Sequence, residues 1–157
     1  MVRLVISPSP RPIELPEDYT FEYGKGTEII PGSDAVLFSY GPVMLNEAIT
    51  AAEILKEKGV SLKVVNQPWL NKVEGQWLKK TIANCGPMFA LDNHSEYGGI
   101  GDCLANALFS SEEFLGTPLY KFGVQDFPAC GTPLEALAHH KLDGHSIAER
   151  ILHTLNS

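Results

Sequence analysis

At 157 residues, with 44% hydrophobic and 20% charged side chains, the chain has the size and composition of one globular domain able to bury a substantial core. Nineteen acidic against twelve basic residues give a net charge of −7 without a Lys/Arg cluster, which argues against a nucleic-acid partner. Apolar runs such as Ala35-Val-Leu-Phe38 fall far short of the roughly 20 residues of a membrane span, and the N-terminus lacks a secretory pattern; the expectation is a soluble cytoplasmic protein with no membrane partner.

In chain order, Met1–Ile6 reads as a short apolar strand. Ser7-Pro-Ser-Pro-Arg-Pro12 carries three prolines in six residues and cannot be helix or central strand. Tyr19, Phe21 and Tyr23 alternate as in a half-buried edge strand. Gly24-Lys-Gly26 turns, Thr27–Ile30 is a short strand, and Pro31-Gly32-Ser33 turns again. From residue 34 the pattern becomes regular. Ala35–Ser39 is a continuous apolar run, as in a strand buried on both faces. Tyr40-Gly41-Pro42 breaks it and opens a helix whose buried stripe is Met44, Ala48, Ala51, Ala52 and Leu55. That helix ends at Gly59.

Ser61–Asn66 is the next strand, and Val73–Asn84 a weaker amphipathic stretch. Met88–Leu91 is a third buried strand, followed by a helix with Ile100, Cys103, Leu104, Ala107 and Leu108 on one face. Pro118–Val124 is a fourth strand. Thr132-Pro-Leu-Glu135 has the spacing of a capping box, and Asp143–Leu155 is a closing helix. Strands alternating with helices in this way predict an α/β, doubly wound, mostly parallel sheet with helices on both faces.

The segment Asp92–Gly101 carries the most chemistry. It follows a buried strand and feeds a helix, the edge of an open α/β sheet where ligands bind. Gly98, Gly99 and Gly101 would let backbone N–H groups face an anion at the helix N-terminus. His94 would act as acid, base or donor, with Ser95 beside it. The candidate set for an anion or regulatory ligand is thus His94, Ser95, Gly98, Gly99 and Gly101. In the competing interpretation the glycines only permit a tight turn and close packing, while His94 bonds the backbone.

No residue is assigned a catalytic or a metal-binding role. Adjacent His139 and His140 point about 100° apart on a helix and do not chelate by themselves. With His145 and His153 they read as solvent-facing. No G-x-S-x-G nucleophile elbow occurs. Trp69 and Trp77 read as packing anchors, and Cys85, Cys103 and Cys130 as reduced small core residues.

Four segments, taken in order, resemble the C-terminal domain of transketolases and of related thiamine diphosphate enzymes. They are Gly32–Gly41 with Asn46-Glu-Ala-Ile-Thr-Ala-Ala-Glu53, then Gly59–Asn66, then Leu91–Gly101, and finally Phe122–Phe127 with Gly131–Leu137 and the closing helix. The resemblance implies two parts: residues 1–33, the end of a preceding pyrimidine-type domain with linker and edge strands, and residues 34–157, the C-terminal-like domain. It implies that thiamine diphosphate and a divalent metal belong to the complete enzyme and not to this chain. N-terminal thiamine-binding domains or a separate subunit would be the partner, in a homodimeric assembly transferring a two-carbon ketol unit. Alone, the chain would be a non-catalytic support domain. The C-terminal domain of a deoxyxylulose-phosphate synthase or of a 2-oxo acid dehydrogenase beta subunit is the nearest alternative. A stand-alone anion- or nucleotide-binding regulatory module and a purely structural oligomerisation domain are the others.

Overall fold

A computed structural model describes residues 9–110 and 116–157, so the apolar stretch Met1–Ile6 lies outside the described residues. The elements run β1 (Thr27–Ile30), β2 (Ala35–Ser39), α1 (Gly41–Glu57), β3 (Leu62–Asn66), α2 (Gly75–Ile82), β4 (Met88–Ser95), α3 (Ile100–Phe109), β5 (Leu119–Val124), α4 (Pro133–His139) and α5 (Gly144–Leu155). The strands form one sheet in the order β1-β3-β2-β4-β5. All neighbours are parallel except β1, which pairs antiparallel with β3. The expected doubly wound sheet is present. β1, which precedes residue 34, hydrogen-bonds into that same sheet.

The continuous apolar runs follow from burial on both faces. Along β2, Ala35 and Leu37 point to one core cluster while Val36 and Phe38 point to the other. β4 repeats the alternation, with Phe89 and Leu91 on the first side and Met88 and Ala90 on the second. α1 and α5 cover the first face through Met44, Ala48, Leu55, Ile147 and Ile151. α2 and α3 cover the second through Leu78, Ile100, Leu104 and Leu108.

The ends of α1 show why the chain turns where it does. Gly41 enters the helix at φ +69°, a left-handed conformation that a side chain would strain. At the other end Gly59, at φ +80°, closes a Schellman motif: its N–H donates to Lys56 O at 3.0 Å, and Val60 N donates to Leu55 O at 2.9 Å. The Thr132–Glu135 capping box is present in full at α4.

Several expectations change. Tyr19, Phe21 and Tyr23 form no strand. Phe21 stacks on Trp69 at 4.7 Å and Tyr23 meets the same indole edge-on at 4.8 Å, while the Glu22 carbonyl accepts from Trp69 Nε1 and Lys25 N. Turned backbone and a shared aromatic partner replace sheet pairing, and both rings stay exposed at 62% and 61%. The stretch predicted over Val73–Asn84 contributes a shorter helix, begun by Glu74, whose carboxylate accepts from Gln76 N and Trp77 N. β4 continues past Leu91 to Ser95 because β5 pairs with it beyond an irregularity in register. Cys130 is exposed, in the loop between β5 and α4, whereas Cys85 and Cys103 are half-buried against the second core.

The α1–α5 seam depends on the missing side chain of Gly144. A Cβ there would stand 2.7 Å from Thr50 Cβ and 3.0 Å from the Glu47 carbonyl oxygen. Gly144→Ala is expected to destabilise the fold by about 1–3 kcal/mol, the usual cost of overpacking, measured by urea denaturation.

Candidate functional site

In a doubly wound sheet the ligand crevice opens where successive connections leave toward opposite sides. Here that point lies between the carboxyl ends of β2 and β4. The chain leaves β2 through α1 on one face toward β3, and leaves β4 through α3 on the other face toward β5.

Asp92 occupies that position. It is fully buried on β4, and its carboxylate accepts from Ile100 N at 3.0 Å and Gly101 N at 3.3 Å, in the first turn of α3. From across the switch point the Tyr40 hydroxyl, just after β2, donates to Asp92 Oδ1 at 3.1 Å, with Asn93 Oδ1 at 3.3 Å. A helix N-terminus favours an anion through its unpaired N–H groups and its dipole. The protein supplies that anion itself.

The predicted site residues line this corner and serve it. His94 Nδ1 lies 2.7 Å from the Ser95 carbonyl oxygen, an acceptor, so that contact requires an N–H at Nδ1. Its Nε2 stands 3.6 Å from Asp92 Oδ1, too long for a hydrogen bond. Ser95 Oγ accepts from Tyr97 N at 3.2 Å. Gly98, at φ +77°, makes the turn, and its N–H donates to Asp102 Oδ2 at 2.6 Å. A Cβ at Gly99 would stand 2.4 Å from Asp92 Oδ1, so the glycine is there for the carboxylate. Gly101 leaves room for the Lys121 side chain, whose Cδ would lie 2.6 Å from a Cβ.

Three members of the corner escape sequence reasoning. Tyr40 lies 52 residues from Asp92, and only the topology joins them. Lys121 on β5 reaches Asp102 Oδ1 at 2.9 Å and lies 5.0 Å from the centroid of the Tyr97 ring. The Gly98 amide first, and Lys121 second, hold the Asp102 carboxyl below its ordinary range, and Asp102 in turn raises Lys121.

Elsewhere, His140 Nε2 accepts from Ala129 N at 3.0 Å, while His139, His145 and His153 are exposed. Trp77 packs edge-on against Phe38. Among the described residues no three His, Cys, Asp or Glu side chains converge as metal ligands, and no helix is long and apolar enough to cross a membrane.

Residues 24–147 match the family described as transketolase, C-terminal domain. The chain belongs to that family. A Methanocaldococcus jannaschii protein described as a transketolase C-terminal section is 34% identical over 137 residues, covering 87% of this chain and 42% of that protein. The 1-deoxy-D-xylulose-5-phosphate synthase of Syntrophotalea carbinolica is 30% identical over 141 residues, covering 88% of this chain and 22% of the synthase. A solved split-gene transketolase, an inactive β4 tetramer, superposes with a TM-score of 0.77 at 27% identity, covering 90% of this chain and 47% of its own. The domain therefore spans less than half the length of each of these relatives.

Two measurements test the corner. Asp92→Ala leaves the amides of Ile100 and Gly101 short of an acceptor and takes from the Tyr40 hydroxyl the nearer of its two acceptors, and should lower unfolding free energy by about 2–4 kcal/mol. Gly99→Ala should also destabilise, but much less in the Asp92→Ala background, where the colliding carboxylate is gone; additive losses in a double-mutant cycle would contradict the contact.

The second is a pH profile. The folded-state Asp102 carboxyl titrates below its ordinary value of 3.8. Its contribution is fully present above that value and is lost as pH falls through the folded pKa. In Asp102→Asn this part of the acid limb of a denaturation series should disappear, by no more than about 1 kcal/mol because the pair is partly exposed.

Proposed function

We propose that this chain is the C-terminal support domain of a transketolase-type thiamine diphosphate assembly and does not catalyse alone. The observation that carries this is the family match over residues 24–147 in a chain that spans less than half of its relatives. The M. jannaschii relative and the split-gene transketolase both present this kind of domain within longer polypeptides. The partner is then an N-terminal thiamine-binding portion, either preceding residues 34–157 on the same polypeptide or supplied as a separate subunit. The assembly is a cytoplasmic homodimer of such units, transferring a two-carbon ketol group.

The residues of the described chain do not fit thiamine diphosphate and its metal. The α3 N-terminus that would face a diphosphate already holds Asp92, and the His, Cys, Asp and Glu side chains do not gather into a ligand set among the described residues. The cofactor supplies the carbanion chemistry from wherever it is bound, and no step of that chemistry is assigned to this chain. Its contribution is mechanical: a rigid sheet whose switch point is closed from within.

Likeness to the S. carbinolica synthase supports a second setting for the same role, as the C-terminal domain of a deoxyxylulose-phosphate synthase. Reconstitution separates the outcomes. The purified chain with thiamine diphosphate and magnesium should give no binding heat and no ketol transfer, and adding a thiamine-binding N-terminal half should restore transfer between sugar phosphates. Formation of 1-deoxy-D-xylulose 5-phosphate in the mixture would select the second setting. Micromolar cofactor binding by the chain alone would overturn both.

A further inference from the structure

The solvent side of α1 carries a polar stripe that the core does not need. Asn46, Thr50 and Glu53 recur at i, i+4 and i+7, on one side of the helix. All three are engaged by one residue far away in sequence. Arg11 Nε donates to Asn46 Oδ1 at 2.8 Å, and Nη2 donates to Thr50 Oγ1 at 3.1 Å and to Glu53 Oε2 at 3.3 Å. Nη1 donates to Glu53 Oε1 at 2.8 Å.

The network continues inward. Asn46 Nδ2 donates to Glu47 Oε1 at 2.8 Å, and the buried Glu47 accepts from Gly144 N at 2.8 Å, at the start of α5. Arg11 therefore ends a chain of hydrogen bonds that begins in the α1–α5 seam.

The surrounding segment has few other means of being held. Pro10 and Pro12 have no N–H to give to a sheet or helix, and Ile13 is the nearest side chain packed on the first core cluster. Arginine suits the task where lysine does not, because its planar fork offers five donors in fixed directions and can span successive helical turns. The Arg11–Glu53 pair is itself partly exposed, at 31% and 58% of the two side chains. It adds little to global stability; what it can set is local order.

We propose that Arg11 is a clasp that seats the proline-rich segment Ser9–Pro12 on the α1 stripe of Asn46, Thr50 and Glu53. Held so, Ser9 presents a fixed point of attachment for a thiamine-binding portion on the same polypeptide. The second statement rests on the proposed role as a support domain; the clasp itself does not.

The test is ¹⁵N relaxation on the 157-residue chain. In the wild type the non-proline residues from 9 to 15 should show order parameters near ~0.85, and in Arg11→Ala they should fall below ~0.6. Those of α1 and β2 should stay unchanged, showing an intact fold. Arg11→Lys should resemble Arg11→Ala more than wild type, and Glu53→Gln should show a smaller loss. Equal order in wild type and Arg11→Ala, or a segment already loose in the wild type, would overturn the clasp. Because the chain is measured alone, a failure to reconstitute any thiamine-dependent activity would leave this result untouched.

Discussion

A carboxylate removed from water has to be met by donors, and Asp92 draws three of them from separated parts of the chain. The amides of Ile100 and Gly101 come from the start of α3, and the hydroxyl of Tyr40 comes from the turn after β2. Each partner would be costly to leave alone in the interior. Together they fix the angle at which α3 leaves β4 and tie the two central strands at the point where their connections diverge. Gly99 exists in this arrangement to make room, since a methyl group there would collide with the carboxylate.

The consequence for function is one of occupancy. Open α/β sheets offer their ligands a crevice at the switch point and a helix N-terminus to face an anion. In this chain the anion is internal. Gly99 packs against the Asp92 carboxylate, the Gly98 amide donates to Asp102, and Asp102 with Lys121 ties the outer side of the corner to β5. A member of the transketolase C-terminal domain family built this way is suited to the proposed buttressing role, with the reactive parts carried elsewhere. The Arg11 network extends the same logic to the opening segment: a single side chain links the proline-rich run to α1, and through Glu47 to α5.

Much of the architecture was legible in the sequence because it rests on local periodicity. The run Ala35–Ser39, the stripe from Met44 to Leu55, the stop at Gly59 and the box Thr132–Glu135 each carry their signal within a few residues, and each forms as expected. What was not legible depends on distant partners. Tyr19, Phe21 and Tyr23 alternate like a strand, but Trp69 captures two of the rings and the backbone turns. β4 extends to Ser95 because β5 continues to pair with it. Asp92 was visible as a polar residue in a glycine-rich turn, yet its partner Tyr40 could be found only once the sheet order was known. Arg11 looked like one residue in a proline run; its three partners on α1 begin 35 residues later.

The corner stands or falls on whether Asp92 already occupies the amides of Ile100 and Gly101 at the start of α3. Titrating the chain with millimolar inorganic diphosphate while following the backbone amide resonances of residues 98–101 decides it. These resonances are expected to stay where they are, with only weak, unsaturable drift shared by other exposed amides. Saturable shifts confined to Gly98–Gly101 would show that an external anion displaces the carboxylate, and would refute that occupancy.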